Sequence, residues 1–193
     1  MKTLLTLFVL FFSSSLVAEN ISDFEIEGIS IGHSLLDHIG KEEIKKFSMP
    51  HYYPGSDKEY LVIEFYKGDL DLLKNYDVMQ ITYHNNDNDS KIYGLTGANF
   101  YEDILECKKE VNKIVNEIEY LFVDYKKNKS EIIHPRDASG KSTVSGYEFN
   151  SPNFDFIQVA CFDWSDEMGY TDNLRIEISE SKFNFWRDNY YYK

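Results

Sequence analysis

Three basic or titratable side chains lie close together in one polar segment of the sequence. His134, Arg136 and Lys141 fall within residues 127–146, a stretch without an apolar period that we predict to be a long loop. The chain as a whole has a formal charge of −13, so this segment carries local positive charge against an acidic background. Arginine and lysine side chains bind carboxylate and phosphate groups. We therefore predict an anion-binding loop, with a plain solvated loop as the alternative.

The chain has two cysteines, Cys107 and Cys161. Two cysteines in an oxidising compartment are expected to form a disulfide. Their number and their spacing exclude a zinc finger and C-x-x-C redox chemistry. We predict that they join a long helix to a central strand of the sheet.

Two short motifs resemble sites of known chemistry but lack essential parts. Residues 139–143 read SGKST, like the end of a phosphate-binding loop, but Pro135 stands where that loop requires a glycine. Residues 179–182 read SESK, the S-x-x-K pattern of penicillin-recognising enzymes, but the chain has no K-T-G strand to accompany it. Neither motif predicts its enzyme class here.

Metal ligands show no recognisable spacing. Asn85, Asp87 and Asp89 alternate as calcium ligands do, yet Ser90 and Thr96 occupy the positions of the required glycine and glutamate. The histidines show neither an i, i+4 nor an H-x-H spacing; they are His33, His38, His51, His84 and His134. We predict no metal site and no cofactor. The carboxylates are too numerous to single out a catalytic pair, so the sequence leaves the catalytic residues unknown.

The acidic charge narrows the class of partner. Nucleic acid and anionic lipid headgroups need cationic contacts, which a chain of charge −13 disfavours. We predict no nucleic-acid partner and no membrane insertion of the mature chain. A protein partner or a small-molecule ligand remains open.

The first residues have the pattern of a secretory signal. Lys2 precedes an apolar run over residues 3–12, and small residues follow up to Ala18. Signal peptidase recognises this order, so we predict a signal peptide over residues 1–18 and a single exported domain over residues 19–193. An uncleaved membrane anchor is the alternative. The exported domain is expected in the periplasm, with the extracellular medium as the second possibility.

Alternating apolar and polar residues predict several strands. Residues 24–32, 60–66, 76–83, 92–99 and 154–164 show this period, and Leu174, Ile176 and Ile178 alternate with charged residues in a further strand.

One amphipathic helix is predicted from residue 101 to about residue 127, because its apolar residues recur at three- and four-residue steps. The fold class that follows is α+β: a largely antiparallel sheet packed against one long amphipathic helix. The order of the elements also allows two halves, each a helix followed by three strands.

The last residues are densely aromatic and read FNFWRDNYYYK. The simplest interpretation is a final segment packed on the sheet. The alternative is an exposed edge that docks on a partner or on the face of a sugar.

Three segments together carry a resemblance: FEIEGISIGHSLLD, HPRDASGKSTV and VACFDWSDEM. They resemble a group of small exported proteins of marine bacteria with compact, AT-rich genomes. The resemblance covers most of the mature chain, including both cysteines. It implies export and implies no particular activity.

The sequence therefore favours a non-enzymatic exported binding or interaction domain. Two alternatives remain, a hydrolase with a composite active site that no motif reveals and an envelope-associated structural or assembly factor.

Overall fold

A computed structural model describes residues 20–49, 52–53, 59–85 and 89–191. The predicted signal peptide, residues 1–18, lies outside these residues. The described chain has an α+β fold with a large antiparallel sheet and few helices. None of the described helices is both long enough and apolar enough to cross a membrane.

Two very short strands, β1 (Glu25–Ile26) and β2 (Ile29–Ser30), form a separate hairpin. In the described parts of the chain, the main sheet has seven strands: β3 (Tyr60–Tyr66), β4 (Val78–His84), β5 (Ile92–Phe100), β6 (Lys126–Ile133), β7 (Thr143–Asn150), β8 (Phe156–Asp163) and β9 (Asn173–Ser179). Their spatial order is β3-β4-β5-β9-β8-β7-β6, and every neighbouring pair is antiparallel.

Three α-helices of the described residues accompany the sheet: α1 (Lys41–Phe47), α2 (Ile104–Leu121) and α3 (Ser181–Trp186). Asp103 caps α2, because its Oδ1 atom accepts a hydrogen bond from the backbone N–H of Leu105 at 2.8 Å. The apolar stripe of α2 is buried against the sheet and comprises Cys107, Val111, Ile114, Val115, Ile118 and Leu121.

The sheet has two distinct faces because successive side chains point to opposite sides of each strand. The face against α2, here called the helix face, carries buried apolar residues such as Ile157, Val159 and Ile176. The opposite face, here called the far face, carries residues such as Gln158 and Glu177. The apolar alternation visible in the sequence therefore describes the helix face.

The predicted disulfide is confirmed. Cys107 of α2 and Cys161 of β8 are bonded, with their Cα atoms 6.0 Å apart, and both residues are fully buried. The bond joins α2 to the middle of the helix face.

Three predictions of local structure are wrong. Residues 24–32 are not one strand, because the chain reverses at Glu27 and Gly28, both with positive φ, and forms the β1–β2 hairpin. The helix ends at Leu121 instead of about residue 127, because Phe122 leaves the helical conformation (φ −110°, ψ 65°) and the Tyr125 N–H turns back to donate to the Phe122 carbonyl at 3.1 Å. Residues 127–146 are not one long loop. Backbone pairing places most of them in β6 and β7, which leaves residues 134–142 as the connection.

The two predicted halves do not match in strand number. Among the described strands of the main sheet, three precede α2 and four follow it, β6 to β9. Lys126 and residues 127–133 form the additional strand. Most of their side chains are polar and none is buried, so a search for alternating apolar residues misses it.

Candidate functional site

A continuous row of polar side chains crosses the far face. Each strand contributes one residue at the same register level, and every one is half-buried: Glu64, Gln80, Thr96, Glu177, Gln158, Glu148 and Asn128, in spatial order. Neighbouring strands lie about 4.8 Å apart, so the row is about 29 Å long. We call it the polar row.

One end of the polar row is closed by hydrogen bonds. The Tyr52 hydroxyl donates to Gln80 Oε1 at 3.0 Å, and Gln80 Nε2 donates to Glu64 Oε2 at 2.5 Å. The Tyr66 hydroxyl donates to the other Glu64 oxygen at 3.1 Å. Burial raises the pKa of Tyr52, so its hydroxyl stays protonated and acts as a donor.

The remainder of the polar row is less tightly paired. Arg187 Nη1 forms an ion pair with Glu177 Oε1 at 2.8 Å. Gln158 Nε2 donates a long hydrogen bond of 3.3 Å to Glu148 Oε1. This part of the row therefore offers amide and carboxylate groups whose hydrogen-bonding capacity is not exhausted within the described residues.

An aromatic cluster borders the polar row on one side. It consists of Tyr53, Tyr60, Tyr93, Phe183 and Trp186. The Tyr60 ring centroid lies 5.0 Å from Trp186 and 5.1 Å from Phe183. The cluster accounts for part of the aromatic tail, whose Phe183 and Trp186 are buried while Phe185 remains 65% exposed.

Arg175 lies one register level from the polar row, on its other side. Its Nε donates a hydrogen bond of 2.8 Å to Asn173 Oδ1, and its Cζ atom lies 4.2 Å from the Phe162 ring centroid and 5.8 Å from that of Trp164. Burial lowers the pKa of the guanidinium, and the charge of Glu177 opposes that effect. No carboxylate among the described residues lies within ion-pair distance of Arg175.

His134 adjoins this arginine. Its ring centroid lies 4.5 Å from that of Trp164, and its Nδ1 accepts a hydrogen bond of 3.3 Å from the backbone N–H of Arg136. Burial lowers the pKa of His134, and the charges of Arg175 and Arg136 lower it further. The imidazole is therefore neutral at pH 7 and supplies no second positive charge.

The predicted trio of His134, Arg136 and Lys141 is only partly brought together. His134 and Arg136 lie close enough to Arg175 for charge to act between them, and Arg136 is exposed. Lys141 instead forms an exposed ion pair with Glu167, which follows β8. Sequence reasoning missed Arg175, although its position among alternating apolar residues of a predicted strand was visible.

A buried carboxylate fixes the connection that carries His134. Asp137 is 6% exposed, and its Oδ2 accepts hydrogen bonds from the Ser142 hydroxyl at 2.6 Å and the Ser165 hydroxyl at 2.9 Å. The backbone N–H groups of Ser142 and Ser139 donate to the same carboxylate at 2.8 Å each. Residues 134–142 are therefore a fixed turn.

Asp137→Asn is expected to lower the melting temperature at pH 7 by several degrees, because an amide nitrogen cannot accept these hydrogen bonds. Hydrogen bonds, first from Ser142, hold the pKa of Asp137 below its ordinary value. Its stabilising effect is therefore complete above the unfolded pKa of about 3.9 and disappears as pH falls through the lower folded pKa.

The difference in melting temperature between wild type and Asp137→Asn should thus shrink on acidification below about pH 4. Thermal melts across the pH range test this, with the exposed neighbour Asp166→Asn as control. A difference that persists unchanged at the acid end would contradict the assignment.

Metal binding finds no support within the described residues, which contain no group of three or more histidine, cysteine, aspartate or glutamate side chains able to hold an ion. Comparison of the chain with family models, with curated proteins and with solved structures finds no match. The geometry of the far face is therefore the basis for assigning a function.

Proposed function

We propose that this protein is an exported, non-enzymatic binding domain whose ligand lies on the far face along the polar row. The row is the observation that carries the proposal. Seven half-buried polar side chains at one register level offer both donors and acceptors over about 29 Å.

The flanks of the row resemble the walls of a ligand site. Binding sites combine aromatic surface, which supplies contact area, with a few polar groups that fix orientation. Here Trp186 and its cluster lie on one side of the polar row, and Phe162 with Trp164 lies on the other. Both tryptophans of the chain therefore adjoin the proposed site.

A catalytic role has less support than binding. Among the described residues, Glu117 is the carboxyl group whose pKa burial raises, as a general acid requires. It lies on α2, away from the far face. The hydrolase alternative therefore has no acid assigned to it beside the polar row.

Export is part of the proposal. The predicted signal over residues 1–18 supports it, and the Cys107–Cys161 disulfide suits an oxidising compartment. The periplasm remains the compartment that we propose.

Tryptophan fluorescence tests the location of the site. We expect at least one class in a panel of non-absorbing probes to change the emission of the mature protein saturably. The panel contains mono- and disaccharides, glycine and alanine dipeptides, and short aliphatic carboxylates.

The double variant Gln158→Leu/Glu148→Leu should bind that probe with about tenfold lower affinity, because two hydrogen bonds to the ligand are lost. Removing both partners of their mutual hydrogen bond leaves no unpaired group, so folding should be preserved. Lys113→Gln, on the exposed side of α2, is the control. An unchanged affinity in the double variant would contradict the proposal.

A further inference from the structure

Arg175 is half-buried and incompletely satisfied. Only its Nε donates a hydrogen bond to a described residue, Asn173, so the Nη groups have none there. Arg187, by contrast, pairs with Glu177 at 2.8 Å. A desolvated charge without a carboxylate partner costs free energy, which a bound anion would recover.

The geometry selects an anion that presents two oxygens side by side. With Nε engaged by Asn173, the two Nη groups form the open side of the guanidinium, and this pair matches two oxygens of one carboxylate or phosphate. Phe162 stacks on the guanidinium with its centroid 4.2 Å from Cζ, which fixes the plane of the fork.

The charge of the surroundings selects a monoanion. Glu177 and Glu64 lie within electrostatic range of Arg175, since both raise its pKa against the effect of burial. The neutral His134 adds no positive charge, and the charge of the exposed Arg136 is screened by solvent. A second negative charge on the ligand would therefore be repelled, which favours a carboxylate over a phosphate dianion.

Aromatic side chains define the rest of the ligand. The Trp164 ring lies beside Arg175. The Tyr170 ring packs edge-on against the Trp164 ring, with the two ring centroids 4.9 Å apart. Tyr170 is 62% exposed, so its ring is accessible to a ligand. An apolar, preferably flat group attached to the carboxylate would contact these rings.

We propose that Arg175 is the anchor of a carboxylate-binding subsite, and that Trp164 and Tyr170 contact the apolar part of a monocarboxylate ligand. This inference rests on the proposed function, because it names the ligand class for one end of the same face.

The probes are benzoate, its uncharged counterpart benzamide, and inorganic phosphate. The readout is the pair of tryptophan indole N–H resonances in ¹⁵N NMR spectra of the mature protein, since Trp164 lies at the subsite and Trp186 lies across the polar row. Benzoate should shift the Trp164 resonance saturably in the millimolar range and leave Trp186 nearly unmoved. Benzamide and phosphate should bind at least tenfold more weakly.

Variants locate the effect. Arg175→Gln should lower the affinity for benzoate by tenfold or more, since a charged hydrogen-bond partner is lost. Arg175→Lys, which keeps the charge but not the fork, should recover only part of the affinity. Arg136→Gln should cost about twofold, because exposed charges are screened. Lys113→Gln should have no effect.

Several results would overturn the subsite. These are no benzoate binding to the wild type, equal binding of benzamide, tighter binding of phosphate, or full benzoate affinity in a folded Arg175→Gln protein. If the arginine variants do not fold, the relative affinities of the wild type for benzoate, benzamide and phosphate test the subsite. In one further outcome, a fluorescence-panel probe binds with an affinity that depends on Gln158 and Glu148 while benzoate does not bind. That combination would support the proposed function and refute only the Arg175 subsite.

Discussion

Replacing both cysteines, Cys107→Ala with Cys161→Ala, is expected to lower the free energy of unfolding by about 4 kcal/mol. The disulfide closes a loop with a sequence separation of 54, and the chain-entropy model gives roughly this stabilisation through the restricted unfolded state. For a domain of this size, the melting temperature should fall by roughly 12 °C.

Urea denaturation of the wild type and the double variant measures the effect. A thiol reductant reduces the disulfide once the wild type unfolds in urea, so it should lower the stability of the wild type to a similar extent. The same reductant should leave the cysteine-free variant unchanged, and this comparison is the control. Equal urea midpoints for wild type and variant without reductant would show that the bond adds no stability.

Gly146→Ala is expected to destabilise the protein by about 3 kcal/mol, because overfilling a close-packed contact forces backbone movement. A Cβ atom at this position of β7 would lie against the backbone oxygen of Val159, only 2.5 Å from the Cα of Ala160. Both atoms belong to the backbone of β8, so no side-chain rotation can relieve the overlap.

The neighbouring Ser145→Ala is the control for this prediction. Its hydroxyl is buried and has no hydrogen-bond partner among the described residues, so removing it should change stability by less than about 0.5 kcal/mol. Thermal or urea unfolding compares the two variants. A Gly146→Ala protein as stable as the control would mean that β7 and β8 separate without cost.

The strands and the helix that bury a regular pattern of apolar residues at the helix face were predictable from the sequence. The predicted strand over residues 60–66 is β3, and the alternation of Leu174, Ile176 and Ile178 is β9. The apolar stripe that carries Cys107 is buried as expected, which is why its pairing with Cys161 is confirmed. Burial on one face leaves a periodic record in the residues themselves.

The sequence of strand β6 shows no such alternation of apolar and polar residues. Its residues from Lys126 to Ile133 are all exposed or half-buried, because it is an edge strand. It forms through backbone pairing with β7, and lysines such as Lys127 and Lys129 are typical of an edge that must not pair further. Backbone pairing depends on the partner strand, which the local sequence does not specify.

The sequence by itself determined the α+β class, the acidic charge and the disulfide, and it predicted export. Each depends on composition or on a local period. Only the tertiary structure decided the candidate site. The register of six strand pairs aligns residues as distant as Glu64 and Glu177 in one polar row, and it places Arg175 beside His134 while Lys141 pairs with Glu167. Register is set by packing of the whole sheet, so no segment read alone contains it.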